Sequence, residues 1–307
     1  MKENLLAVST TWNAAVHSDI KAMLSEIKAA EVDAIEIGYN FTARRLKELM
    51  PLIGKMGLRV VSMHNFCPLP EENEFGRFST DYYRLSSLNK RERAKAVEHT
   101  KKTVDTARAV SCPFVIVHAG TVEMENNSVR ILFQLYNDGK FNSQEYRKIK
   151  EGVLAERKSK AEVHLESAAK SLREVLSYAS SAGIKIGLET RYYPNEIPNL
   201  EEAEYLLGIF RDKGLYYWHD VGHAETNQRL GITSHKDYLD RLTDYMAGIH
   251  LHDLQGIDDH LAPFSGDFDW SSLTAYMRDD LIKVIEAHQP ATQQQIKEAV
   301  KRLSFAF

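Results

Sequence analysis

Acids and imidazoles close several short apolar runs in this 307-residue chain. Glu189 ends IKIGLE (Ile184–Glu189), Asp220 ends LYYWHD (Leu215–Asp220) and Glu286 ends LIKVIE (Leu281–Glu286). His64 ends LRVVSMH (Leu58–His64), His118 ends FVIVH (Phe114–His118), and His250 and His252 fall at the end of AGIHLH (Ala247–His252). His223 follows Asp220 by three residues, and Asp258 and His260 stand together in IDDHL. A carboxylate ending an apolar strand and facing an interior is costly unless it holds a cation or does acid–base work. Carboxylate and imidazole without thiolate suit a divalent zinc, manganese, cobalt or iron, and suit calcium less well. Arg191, two residues after Glu189, has the fork to hold a phosphate or carboxylate, and equally to pair with one of these acids. The remaining histidines, His17, His99, His164, His219, His235 and His288, read as ordinary core or surface residues.

Something must bring these residues to one place. Besides the runs above, LLAVST (Leu5–Thr10) and AIEIG (Ala34–Gly38) have strand character, which makes eight. They are β-branched and apolar without strict alternation, the pattern of parallel strands covered on both faces. Segments of helical period lie between them. Ser18–Ala30 carries Ile20, Met23, Leu24 and Ile27 on one face with Ser18 as N-cap, and Ala161–Ala182 is closed by Gly183. Asn199–Phe210 opens with a cap and an acidic first turn. Strand and helix alternating eight times predict an α/β fold, a (β/α)8 TIM barrel over one domain, residues 1–307. An open doubly wound sheet is disfavoured because no G-x-G-x-x-G follows the first run. Two insertions, residues 65–89 and 119–160, follow the third and fourth strands, at the end where barrel enzymes build their sites.

Composition narrows the class. A hydrophobic share of 43% is ample for a large core, and a net charge of −4 gives no nucleic-acid footprint, though a local basic rim is compatible with it. Two cysteines, Cys67 and Cys112, make no disulfide framework. The N-terminal MKENLLAVST lacks an apolar h-region, and no run of 18 apolar residues occurs, so no membrane span and a cytoplasmic location are expected.

The order of these groups resembles the xylose-isomerase-like barrels, which include sugar isomerases and epimerases and the endonuclease IV type of abasic-site nuclease (AP endonuclease family 2). The resemblance rests on Glu189 in GLETR, Asp220 and His223 in HDVGHA, His250 in GIHLHD, Asp258 and His260 in IDDHL, and Glu286 in VIEAH. In the isomerase and epimerase type it implies one metal held by Glu189, Asp220, His250 and Glu286. The two glutamates would then act as the catalytic acid–base pair on a small carbohydrate, with His223, Arg191, His64, His118 and His252 around the substrate. In the nuclease type it implies three zinc ions, with His64, His118, His223, Asp258 and His260 joining those four. DNA-binding loops would then involve Arg44, Arg45 and Phe66. A catalytically silent metal- or sugar-binding barrel is the third reading. LETRYYPNEIP and HLHDLQGIDDHLAP look more like the isomerase relatives, and Asp259 stands where the nucleases usually carry a basic residue. Tyr192, Tyr193 and Trp12 would offer stacking faces to a sugar ring or simply pack. A homo-oligomer is implied by the same resemblance.

Overall fold

The computed structural model describes residues 6–77, 79–124 and 127–306. Eight parallel strands close a barrel: β1 (Leu6–Ser9), β2 (Ala34–Ile37), β3 (Arg59–His64), β4 (Phe114–Val117), β5 (Lys185–Glu189), β6 (Leu215–Asp220), β7 (Met246–Leu251) and β8 (Ile282–Ile285). Each pairs with its neighbour in chain order, and β8 returns to β1 through Ala7 opposite Val284. The predicted runs agree to within about one residue at each end (Leu5 lies outside the described residues).

Side chains alternate along a strand, so every second residue points inward. Phe114, Ile116, Trp218, Ile282 and Val284, with Ala7, Ala34 and Val61, fill the lower barrel as an apolar plug. Trp218 occupies its centre because its neighbours there lack side chains. A Cβ on Gly248 would come within 2.2 Å of the indole, and one on Gly187 within 3.1 Å. One inward step above this plug come His118, Glu189, Asp220, His250 and Glu286. The alternation that packs the core therefore also collects the polar groups at the C-terminal rim.

Nine helices of eight residues or more are described. Those that bear on the site are α3 (Lys90–Ala109), α5 (Gln144–Ser181), α6 (Leu200–Phe210), α7 (Val221–Arg229) and α8 (His235–Leu242). Helix α1 (Ile20–Lys28) is capped by Asp19, whose side chain accepts from the Lys21 N–H, and not by Ser18. The carboxylate one residue later is the better-placed acceptor. Helix α5 begins at Gln144, well before the expected Ala161, and runs 38 residues. Its first half buries only Tyr146, Val153 and Arg157, too sparse a stripe to read through EGVLAERKSKAE. The second insertion therefore holds a separate helix, α4 (Ser128–Asn137), and then the start of α5. Asn199 and Glu202 form a reciprocal capping box at the start of α6, as the acidic first turn predicts.

Both insertions are tied down. Glu92 on α3 accepts from the Arg84 Nε and backbone N–H at 3.0 Å each, from Ser87 Oγ at 2.8 Å, and from Arg77. Hydrogen bonds from these partners outweigh burial and hold its carboxyl down at about 2. His164 on α5 links the two insertions, its Nδ1 3.0 Å from the Ser86 carbonyl and its Nε2 accepting from the Glu123 N–H at 3.2 Å. No helix among the described residues is long and apolar enough to cross a membrane.

Candidate metal centre and active site

A cavity of about 420 Å³ opens at the C-terminal rim over Glu189, Glu286, His64, His118, His223 and His260. That is within the range of small-molecule sites. A larger groove of about 590 Å³ lies beside α2 (Ala43–Lys55) at the N-terminal end of β3, lined by Ile53, Leu58, Val60 and Pro113. No histidine or acid lines it, so it has nothing for chemistry.

Below the rim cavity, donor atoms of Glu189, Asp220, His250 and Glu286 lie within 4.8 Å of one another, and all four residues are buried. His250 Nδ1 faces three carboxylates, 2.9 Å from Glu286, 3.1 Å from Glu189 and 3.6 Å from Asp220. Its Nε2 is 3.0 Å from Glu36, which also accepts from Ser62 Oγ at 2.7 Å. Against burial, the surrounding carboxylates hold this ring well above the usual imidazole range, and a metal ion among the three acids would take the place of the Nδ1 proton.

The same logic recurs around the rim. His64 Nδ1 is 2.9 Å from the Asn65 carbonyl, His223 Nδ1 is 2.9 Å from the Thr190 carbonyl, and His260 Nδ1 is 3.0 Å from the Glu286 carbonyl. Carbonyls only accept, so each Nδ1 carries a proton and each Nε2 is the nitrogen turned to the site. Those nitrogens face carboxylates: His64 is 3.1 Å from Glu189, and His223 and His260 are 3.5 and 3.8 Å from Asp259. A nitrogen and a carboxylate facing each other need a cation between them, a shared proton or a metal ion in its place. Four carboxylates, those of Glu36, Glu189, Asp220 and Glu286, are buried here with few fixed positive charges. Donor type, anchored rings and surplus negative charge all fit divalent metal. His64, His118 and Glu189 form a second group of donors, and His223, His252, Asp259 and His260 a third.

Burial and hydrogen bonds divide the two glutamates. Burial alone would raise Glu189, but the His118 and His250 rings beside it hold it well below the usual carboxylate range. Burial raises Glu286 against the opposing pull of His250, with smaller help from the nearby Glu36 and Glu189 charges. Two carboxyls pushed in opposite directions are the usual makings of a base and an acid.

Several expected residues sit elsewhere. Asp258 reaches the cavity edge but is turned to solvent by its ribbon pairing with Gln255, and Asp259 points inward in its place. The following residue, His260, has φ +59°, a left-handed backbone that aims its ring back over the site. His252 does not line the cavity. Its Nδ1 accepts from the His260 N–H at 2.9 Å, so its Nε2 carries the proton and donates to both Asp220 oxygens at 3.0 Å. It holds Asp220 and is not presented to a substrate. Arg191 is paired with Glu196 at 2.5 Å, and its Nη1 lies 3.8 Å from Glu189. Trp12 is fully packed and donates to the Ala291 carbonyl, so it offers no face to a ligand. Arg45 donates to the Ala14 and His17 carbonyls, Arg44 pairs with Glu48, and Phe66 is buried. Tyr192 and Tyr193 do line the cavity, as do Tyr39, Asp81 and His288.

Glu36, Asp259 and the role of His252 escape sequence reasoning. The signal for Glu36 was an acid inside AIEIG, where only apolar residues belong in a run covered on both faces.

A model of the family described as "Xylose isomerase-like TIM barrel" matches residues 24–304. Among solved structures, a D-tagatose 3-epimerase-like protein superposes with a TM-score of 0.67 at 21% identity, covering 100% of this chain and 97% of that one. The IOLI protein, solved with a bound zinc atom, gives a TM-score of 0.68 at 14% identity, covering 100% and 99%. The uncharacterized protein y4fM of Sinorhizobium fredii is 26% identical over 186 residues, 60% of this chain, and the match spans about half (49%) of that relative's length.

Proposed function

Because the chain belongs to the xylose isomerase-like TIM barrel family, we propose that it is a metal-dependent isomerase or epimerase of a small sugar, sugar phosphate or polyol. The observation that carries this reading is the buried group of Glu189, Asp220, His250 and Glu286 beneath an open cavity of sugar-binding size. A divalent ion held by these four would supply a Lewis acid for a substrate carbonyl or hydroxyl oxygen. Glu189 and Glu286 are the acid–base pair of this reading, one taking the proton from the adjacent carbon and the other returning one. Arg191 and His118, which line the cavity, would orient the substrate oxygens. Tyr192 and Tyr193 bound the ring.

Among these substrates the cavity wall favours the neutral sugar or polyol. Asp81, Glu196, Asp258 and Asp259 line it, and its one arginine is already paired. Such a rim repels a nucleic-acid backbone. A second reading, a three-metal phosphodiesterase, is favoured by one observation: three donor groups meet here, two of them sharing Glu189.

Elemental analysis of the chain purified without added metal separates the two, with about one ion per chain expected for the isomerase and about three for the phosphodiesterase. A panel of ketoses, aldoses and their phosphates should then show interconversion, lost by at least about 10³-fold in Glu189→Gln with the fold intact by circular dichroism. Near-normal turnover in that variant, or nicking of an abasic duplex without sugar turnover, overturns the assignment.

A further inference from the structure

A row of buried side chains leaves the site through the wall of the barrel. Thr190 Oγ1 is 2.6 Å from Tyr217 Oη, which is 2.7 Å from His219 Nδ1. His219 Nε2 is 3.0 Å from His235 Nε2, and His235 Nδ1 is 3.1 Å from Glu225. All five residues are buried. At the far end Glu225 also accepts from Arg229 Nε at 2.9 Å and Gln228 Nε2 at 3.1 Å, beside a separate cavity of about 400 Å³. At the near end the Asp220 N–H donates to Thr190 Oγ1 at 3.3 Å, and the Thr190 carbonyl receives the His223 Nδ1 proton.

Donor and acceptor counting gives this row one direction. The Glu225 carboxylate only accepts, so His235 Nδ1 carries a proton and its Nε2, in a neutral ring, has a lone pair. His219 Nε2 must then donate, which leaves its Nδ1 to accept from the Tyr217 hydroxyl. The Tyr217 oxygen accepts from Thr190, and the Thr190 oxygen from the Asp220 N–H. Every proton finds an acceptor. The reverse direction needs a second proton on His235 and leaves the Thr190 hydroxyl proton without a partner along the row.

We propose that Glu225, His235, His219 and Tyr217 are positioning residues: their one-way hydrogen-bond chain fixes Thr190, and through it the aim of Asp220 and His223. The proposal rests on reading Asp220 and His223 as metal-facing groups. It goes beyond that reading in assigning work to two histidines and a glutamate with no contact to the cavity over the site.

The test combines ring tautomers with zinc affinity. In the metal-free, full-length chain, nitrogen-15 NMR of the imidazoles should find the proton on Nδ1 of His235 and on Nε2 of His219. In Glu225→Leu the His235 assignment should be lost, whereas Glu225→Gln, which keeps an accepting oxygen, should retain it. Zinc affinity, measured by chelator competition, should fall about 10–100-fold in Tyr217→Phe and Glu225→Leu and within about threefold in Glu225→Gln. The opposite tautomers, or equal affinities for Glu225→Gln and Glu225→Leu, overturn the chain. Failure of the unaltered protein to bind zinc instead overturns the metal reading, while the tautomers still judge the direction of the chain.

Discussion

Glu36 shows how far a single carboxylate can act from the substrate. It is 3.0 Å from His250 Nε2 and fixes which nitrogen of that ring faces the acids. A Glu36→Gln amide can present an N–H to Nε2, which would move the proton to Nδ1 and point it at the three carboxylates. Metal affinity should then drop about 10–100-fold with little change in fold, a result read by metal titration of the purified variant. An affinity equal to that of the unaltered chain would mean that His250 takes its tautomer from the acids alone. Glu189, Asp220 and Glu286 were legible in the sequence because each ends an apolar run. Glu36 was not, because it stands inside one. His252 was legible as a site histidine, but its partners depend on the left-handed turn at His260, a backbone fact that residue types do not carry. His219 lies on β6 and His235 opens α8, 16 residues apart, and only the folded chain reveals that their rings meet.

Strands and helices were easier to read than the loops between them. Eight apolar runs gave the barrel because burial on both faces leaves a plain compositional mark. The start of α5 did not, because its first turns bury little beyond Tyr146 against Leu132 and Leu135 of α4 and expose much of their surface. The insertion after β3 has almost no regular structure, and it is fixed instead by charge: Glu92 holds Arg77, Arg84 and Ser87 together. The Glu92 carboxyl is depressed from 4.5 to about 2, so its stabilising contribution is complete above about pH 4.5 and disappears as the pH falls through 2. Limited proteolysis should accordingly find residues 65–89 protected at neutral pH and progressively cut by an acid-active protease below about pH 4. Glu92→Gln should be cut already at pH 7 and be less stable by about 2–3 kcal/mol in urea. Equal cleavage of variant and parent at pH 7 would show that packing alone holds the insertion.

For the whole molecule, the rim concentrates negative charge that folding must bury, and the proposed metal would offset it. An ion present at one hundred times its dissociation constant adds about 2.7 kcal/mol to stability. Chelation should therefore lower the Tm by roughly 4 °C in a chain of this size, and restoring zinc or manganese should reverse the loss. An unchanged Tm on chelation would indicate that the acids are neutralised by their own protons. The opposite end of the barrel has a different consequence. Trp218, seated between Gly187 and Gly248 among Phe114, Ile116 and Val284, leaves no passage beneath the acids. The floor of the chamber is therefore shut, and all traffic runs on the rim side. If the chain turns over a sugar as proposed, a product still inside would stand in the way of the next molecule, and departure through the rim would count toward the rate as much as what happens at the floor.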